Sequence, residues 1–238
     1  MNQHELNRST LITVHGYAGD QHQIVGNLPS IEHHKLPIVV FSPEDAPITH
    51  MGSHICRTGG KRAYVGQDSL DRQLIHMRMM LEYKFDFYLM HDSDSLLLSP
   101  EIPAYVYTHP HEVFSNEVND FRVDMPIYGP EFHKPLPQIA MQPPYFMSRR
   151  SLERLVEVGP TIKMCPVCPF IDWYMVQLVC AAGLNHSRYL QCVSFESTTP
   201  GGVEILKAHV SRGCNFVHYV KRPEIRKLLQ DLWNKNHQ

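Results

Sequence analysis

The sequence predicts one α/β domain with a mixed, mainly parallel central sheet flanked by helices. Three observations predict this class. Short runs rich in β-branched and aromatic residues alternate with amphipathic stretches through the first hundred residues. A loop with two glycines follows the first of these runs. The composition, 43% hydrophobic and 19% charged over 238 residues, is that of a folded chain, and no repeat or linker divides it.

The first hundred residues contain four predicted strands and one predicted helix. The first strand, 11–14, ends at the glycine loop, and the second strand spans 37–41. A short third strand is expected at 63–65. A helix follows over 68–83 because its leucines and methionines lie on one face. The last strand, 85–90, is strongly apolar and leads directly into a cluster of polar residues.

The second half is less regular. Its prolines predict a long irregular connection over the sheet, with order returning at 145–147. Helices are then expected at 148–158 and 169–182, and strands at 188–193 and 216–220. Pro223 opens a terminal helix with an apolar stripe. The prolines concerned are at positions 126, 130, 135, 137, 143 and 144.

Charge and hydropathy exclude several classes of partner. A net charge of -2 leaves no general electrostatic attraction for nucleic acid or an anionic membrane. The first ten residues lack the pattern of a secretory signal, and no window approaches 18 uninterrupted apolar residues. We therefore expect a soluble, cytoplasmic protein with no membrane anchor and no nucleic-acid partner.

Two aspartates, Asp92 and Asp94, follow the apolar strand at 85–90. Because an extended chain points residues i and i+2 to the same side, both carboxylates can face one spot. A carboxylate pair beyond a strand's C-terminal end is suited to a hard divalent cation. A D-x-D also arises by chance in many chains of this length, so a solvated turn in which aspartate caps backbone groups remains an alternative.

The order of these features resembles nucleotide-sugar glycosyltransferases of the GT-A fold. The resemblance rests on the glycine loop after the first strand, Arg72 in the following helix, the D-x-D after an apolar strand, and Tyr145 to Ser148 before a later helix. It extends from about residue 10 to residue 221. The compact form is also similar to glycosyltransferases encoded by large algal viruses.

The resemblance implies that residues 1–238 form a single domain with two functional halves. A nucleotide-binding half would span about 10–98, and an acceptor-side half about 99–238. The implied reaction moves a sugar from a nucleoside diphosphate donor, uridine-linked, to a hydroxyl of a glycan or glycoprotein, with inversion. The implied cofactor is Mn²⁺ or Mg²⁺, which stabilises the negative charge of the leaving diphosphate.

The resemblance also implies a role for each candidate residue. Asp92 and Asp94 would hold the metal, and a histidine near the C-terminus would complete the coordination, with His218 the candidate and His209 the competitor. Asp172, in the first turn of a helix, matches the carboxylate that accepts the acceptor's proton in inverting members. The residues expected to contact the nucleotide sugar are His15, Gly16, Tyr17, Asp45, Arg72, Asp92, Ser93 and Lys221.

Other interpretations of the same residues stay open at this point. A haloacid-dehalogenase-like phosphohydrolase also has a strand-terminal D-x-D, although that family continues with a small residue and threonine where this chain has Ser95 and Leu96. A retaining glycosyltransferase and a non-catalytic nucleotide-sugar binding module share the same fold. Individually, Tyr17 also fits a surface-packed aromatic, Asp45 a turn former, and Asp172 an acid that stabilises a helix start.

Overall fold

The architecture is α/β, with a seven-stranded mixed sheet and a smaller three-stranded sheet. A computed structural model describes residues 5, 8–33, 36–63, 65–99, 104–119, 139–163, 171–189, 192–194 and 199–237. The strands are β1 (Thr10–His15), β2 (Ile38–Ser42), β3 (Ile55–Thr58), β4 (Phe87–Asp92), β5 (Leu96–Leu97), β6 (Glu112–Asn119), β7 (Ile139–Ser148), β8 (Asn185–Arg188), β9 (Cys192–Ser194) and β10 (Phe216–His218). The α-helices are α1 (Gln21–His33), α2 (Gln67–Leu81), α3 (Ala104–Tyr107), α4 (Arg149–Val158), α5 (Ile171–Ala181), α6 (Pro200–Ser211) and α7 (Pro223–His237).

The large sheet has the strand order β3-β2-β1-β4-β7-β6-β8. Strands β3, β2, β1 and β4 are parallel, and β7 runs antiparallel to both of its neighbours. The chain leaves β1 toward β2 on one side and returns to β4 on the other side. The C-terminal ends of β1 and β4 therefore form the switch point of the sheet, where open α/β sheets bind their ligands.

The core lies on both faces of the large sheet. Along β1, Leu11 packs into one apolar cluster while Ile12 and Val14 pack into the other, as expected for alternating side chains of a strand. Residues of α2, α4 and α5 cover the first face, and Ile24 of α1 covers the second. This burial on both faces explains why Leu11, Ile12 and Val14 are apolar on opposite faces of one strand.

The small sheet brings the end of the chain to the end of β4. Its central strand, β10, pairs antiparallel with β5 and parallel with β9. Leu206 of α6 and Leu229 of α7 are fully buried in the apolar cluster against this sheet. Because β5 follows β4 after a short turn, residue 218 is carried next to the D-x-D.

Most predicted elements of the first half are confirmed, and the third strand is wrong. The strand that pairs with β2 is β3, whereas Ala63 and Val65 belong to none of the ten strands described, and Tyr64 lies outside the described residues. The strand predicted at 188–193 is two short strands, β8 and β9, which belong to different sheets. Helices α1 and α6 were not predicted.

The prediction of an irregular connection up to Pro144 is also wrong. Pro143 and Pro144 lie inside the ten-residue strand β7. Neither proline has a register partner in β4 or β6, because the register shifts between Phe114 and Asn116. This irregularity accommodates residues that lack an N–H for the ladder. The prolines at 126, 130, 135 and 137 lie outside the described residues, as do positions 169 and 170 of a predicted helix.

Among the described residues, none of the helices combines the length and the apolar character that crossing a lipid bilayer requires.

Candidate functional site

The loops after β1 and β4 meet at the switch point of the sheet. Ser93 donates its backbone N–H to the carbonyl oxygen of His15 at 2.8 Å, which joins the two loops directly. A Cβ atom at position 16 would lie 3.0 Å from Ile24 and 3.1 Å from Ser93, so glycine permits this close approach. The glycine loop and the D-x-D thus form one continuous surface.

A cavity of about 480 Å³ opens where the two loops meet. Its volume is within the range of about 300–1,000 Å³ that small-molecule sites occupy. Seven of the eight residues predicted at the nucleotide sugar line it; Asp45 does not. The lining consists of His15, Gly16, Tyr17, Asp20, Gln23, Arg72, His76, Asp92, Ser93, Asp94 and Lys221.

Asp92 and Asp94 line this cavity, and His218 lies beside them. One potential ligand atom of each lies within 4.8 Å of those of the other two. The backbone explains the convergence, because β5 pairs with β10 and Val220 donates its N–H to the carbonyl oxygen of Asp94 at 2.7 Å. Two carboxylates and an imidazole held in this way fit Mn²⁺ or Mg²⁺ as a donor set. His209, in the last turn of α6, is not part of the cluster.

The surroundings of Asp92 disfavour the charged form of its carboxylate. Burial of its carboxylate and repulsion by Asp94, Asp172 and Asp20 raise the pKa of Asp92, and the charge of Arg72 opposes this rise. The side chain is open to the cavity, so water there limits the size of the effect. A cation bound between the carboxylates would relieve this repulsion, which is a second indication of a metal site.

His218 is a neutral ligand candidate. Burial, followed by the charge of Lys221, lowers the pKa of His218 to about 3. Its Nδ1 lies 3.4 Å from Oδ1 of Asp94 and shares a hydrogen bond of 2.8 Å with the hydroxyl of Ser95. At neutral pH the contact with Asp94 is therefore between a carboxylate and a neutral imidazole, the form that binds metals.

Two cations predicted at the nucleotide sugar line the same cavity. Arg72 lies in the second turn of α2, where its charge opposes the rise in the pKa of Asp92. Lys221 follows β10 and is exposed, with its Nζ 6.0 Å from the ring centre of Tyr219. A cavity with carboxylates at one point and cations around it suits a ligand that carries both a metal and phosphate groups.

Tyr17 and Asp45 both contact Arg62. The guanidinium of Arg62 stacks on the ring of Tyr17, with its central carbon 3.8 Å from the ring centre. The backbone N–H of Arg62 donates to the carboxylate of Asp45 at 2.7 Å. Tyr17 reaches the cavity, whereas Asp45 stabilises the neighbouring loop, and its contact with a nucleobase stays a prediction.

Asp172 lies close to the carboxylate pair without lining the cavity. Its charge contributes to the raised pKa of Asp92. Gln142 of β7 donates to Oδ2 of Asp172 at 3.4 Å and to the hydroxyl of Tyr219 at 3.1 Å. Burial raises the pKa of Asp172 to about 6, against the opposing hydrogen bond from Gln142. Its carboxylate is thus a stronger base than that of an ordinary aspartate.

The sequence reasoning missed three residues of the cavity: Asp20, Gln23 and His76. Asp20 ends the short 3-10 helix after the glycine loop, and burial raises the pKa of its carboxyl although hydrogen bonds with Ser93 and Tyr17 oppose this. The only signal in the sequence was the position of Asp20 immediately beyond the glycines. The 3-10 helix that contains Asp20 and helix α1 that contains Gln23 were not predicted, so neither residue was expected near the site.

His15 and His76 belong to a series of hydrogen bonds in which the donor and the acceptor of each bond can be assigned. Nε2 of His76 bonds the carbonyl oxygen of Gly59 at 3.0 Å, so this nitrogen carries the proton. Burial lowers the pKa of His76 to about 4 and that of His15 well below 6.5, so both rings are neutral at pH 7. Nδ1 of His76 then accepts from Nδ1 of His15 at 2.9 Å, and Nε2 of His15 accepts from the hydroxyl of Thr13 at 3.1 Å.

The consequence is that His15 lines the cavity with both ring nitrogens already engaged. The roles of His15 and of the other predicted contacts at the nucleotide stay predictions.

Comparison with protein-family models and with curated proteins gives no match to this chain. The function is therefore argued from the geometry of the site.

Proposed function

We propose that this chain is a metal-dependent glycosyltransferase of the GT-A type. It would transfer a sugar from a uridine diphosphate donor to a hydroxyl of a glycan or glycoprotein, with inversion at the anomeric carbon. The observation that carries the proposal is the cluster of Asp92, Asp94 and His218, whose two aspartates line one cavity together with two cations. The cavity lies at the switch point of a parallel sheet, which favours a nucleotide ligand.

The donor half of the reaction uses the charges of the cavity. Mn²⁺ or Mg²⁺, when bound, supplies the positive charge that stabilises the leaving diphosphate. Asp92, Asp94 and His218 would hold the metal, and the imidazole nitrogen would favour Mn²⁺ over Mg²⁺. Arg72 and Lys221, which line the same cavity, would neutralise phosphate oxygens. Tyr17 offers a ring, already stacked by Arg62, as the surface for a flat base.

The acceptor half of the reaction uses Asp172. A base must be ionised at the working pH and still bind a proton strongly, and a pKa of about 6 meets both requirements. Gln142 fixes the orientation of the carboxylate by donating to Oδ2. Oδ1 would then take the proton of the acceptor hydroxyl while that oxygen bonds to the anomeric carbon and the bond from this carbon to the diphosphate breaks.

The proposal is tested by incubating the chain with a panel of nucleotide sugars, with Mn²⁺ and with a chelator. Release of nucleoside diphosphate from one donor in Mn²⁺ alone is expected. Asp94→Asn should abolish it, whereas Asp231→Asn should not, because Asp231 is exposed on α7 and pairs with Lys227. Release of inorganic phosphate instead would favour a phosphohydrolase, and binding without release would favour a non-catalytic module; either contradicts the proposal.

A further inference from the structure

Arg226 of α7 is a buried arginine with polar contacts to the turn that carries the D-x-D. Only 4% of its surface is exposed. One terminal nitrogen donates to the carbonyl oxygen of Ser93 at 2.8 Å, and the other donates to the carbonyl oxygen of Ser95 at 3.1 Å. These two residues flank Asp94, so the planar guanidinium spans the turn from behind.

Asn27 of α1 fixes the same guanidinium and the same turn. Its side-chain oxygen accepts from Arg226 at 2.6 Å, and its amide nitrogen donates to the carbonyl oxygen of Ser95. Gly26 makes room for this arrangement, because a Cβ atom there would lie 3.3 Å from Cδ of Arg226. The turn between β4 and β5 is therefore held by two side chains from two different helices.

The charge of Arg226 adds to this geometry. Burial lowers the pKa of Arg226 only to about 10, so the guanidinium stays positive at neutral pH, and the nearby charge of Asp94 favours that form. A fixed cation behind the turn offsets part of the repulsion between the carboxylates in front of it.

We propose that Arg226, oriented by Asn27, is the positioning residue that sets the D-x-D turn in its metal-binding geometry. The guanidinium fork holds the carbonyl oxygens on either side of Asp94, which keeps the two carboxylates directed at the same point. The inference rests on the metal site of the proposed function and not on sugar transfer itself. It predicts that metal affinity depends on a residue that offers the metal no ligand atom.

Arg149 provides a matched control. It also donates to two backbone carbonyl oxygens, those of Leu81 and Tyr83, each at 2.9 Å. Arg149 comes directly after β7 in the chain and lies beside the first residue of β4. The D-x-D is at the other end of β4, so the length of this strand separates the two by about 16 Å. Arg149→Met therefore removes a comparable set of structural bonds without touching the turn.

The experiment is calorimetric titration of Mn²⁺ into the wild-type chain and variants, with circular dichroism and Tm measured for each. Arg226→Met should raise the Kd for Mn²⁺ by about 10- to 100-fold, the usual effect of an outer-shell partner. Arg149→Met should lower Tm and leave the Kd unchanged. Arg226→Lys keeps the charge but not the fork, so its Kd should fall between those of wild type and Arg226→Met.

The outcomes separate this inference from the proposed function. Equal Kd values for wild type, Arg226→Met and Arg226→Lys overturn the positioning role and leave the proposed function untouched. A wild-type Kd for Arg226→Lys also overturns it, because lysine keeps the charge without the guanidinium fork. If Arg226→Met does not fold, Asn27→Ala should still raise the Kd about fivefold through the loss of a hydrogen bond, and an unchanged Kd overturns the inference. Wild-type chain that binds Mn²⁺ but turns over no nucleotide sugar refutes the proposed function and leaves the test of Arg226 valid. Failure of wild type to bind Mn²⁺ overturns both.

Discussion

Replacement of Asp172 by asparagine tests whether this residue is the general base of the proposed mechanism. The amide has nearly the shape of the carboxylate and can still accept the hydrogen bond from Gln142, but it cannot take a proton at neutral pH. Removal of a general base is expected to lower the transfer rate by about 10²- to 10⁴-fold. That range corresponds to about 3–5 kcal/mol of transition-state stabilisation.

The pKa of Asp172 gives the pH dependence of the wild-type reaction. With a pKa of about 6, the carboxylate is about 97% ionised at pH 7.5 and about 9% ionised at pH 5. Since only the ionised form accepts a proton, kcat/KM should fall about tenfold between these values. An ordinary aspartate, with a pKa near 3.8, would show no such fall. The profile is measured with the donor at low concentration and with saturating Mn²⁺.

Three results would refute this reasoning. One is a rate for Asp172→Asn that equals that of wild type. Another is an acid limb that persists unchanged in the variant, which would assign the titration to a different group. The third is a product that retains the donor's anomeric configuration. Donor affinity serves as the control, because Asp172 does not line the cavity and its replacement should leave that affinity nearly unchanged.

Three further predictions concern the metal cluster and the buried histidines. Asp94→Asn should abolish Mn²⁺ binding in calorimetry while the circular dichroism spectrum stays unchanged; wild-type affinity would exclude Asp94 as a ligand. His218→Ala should weaken Mn²⁺ binding at least tenfold and His209→Ala should not, and the reverse result would move the ligand to α6. The folded-state pKa of His76, about 4, lies below its unfolded value, so stability is complete above pH 6.5 and is lost as the pH falls toward 4. This histidine should cost about 2 kcal/mol of unfolding free energy at pH 5 relative to pH 7, as measured by urea unfolding. His76→Gln should reduce that dependence by about this amount, because His15 and His218 keep their own contributions. An unaltered dependence would contradict a buried, neutral His76.

The parts of the fold that the sequence predicts are those with strong local signals. Strands β1, β2 and β4 are apolar runs buried on both faces, and α2 has a clear apolar face, so their positions follow from periodicity. The D-x-D was located because it directly follows such a run. Residues of the loop after β1 reach the same cavity because parallel strands bring their C-terminal ends together.

The parts that the sequence did not predict depend on distant partners. Strand β7 contains two prolines that would be unsuitable in a regular ladder, and only its irregular pairing with β6 makes room for them. Arg226 looks like a solvated residue beside the apolar stripe of the terminal helix. Its burial arises from the approach of α7 to α1 at Gly26, which no local pattern indicates. His76 is hidden in the same way, since its partners lie in other elements.

The smaller sheet has a consequence for the order in which the site is assembled. Ser95 and His218, which share a hydrogen bond, are 123 residues apart in the chain. During synthesis, the large sheet's first four strands emerge long before β10 and α7, so the nascent chain displays the two aspartates without the imidazole or the guanidinium behind them. At the metal site proposed above, high-affinity metal capture would then coincide with the folding of the C-terminal region. Loading with metal would therefore report, in a cell, that β10 and α7 have folded onto the first hundred residues.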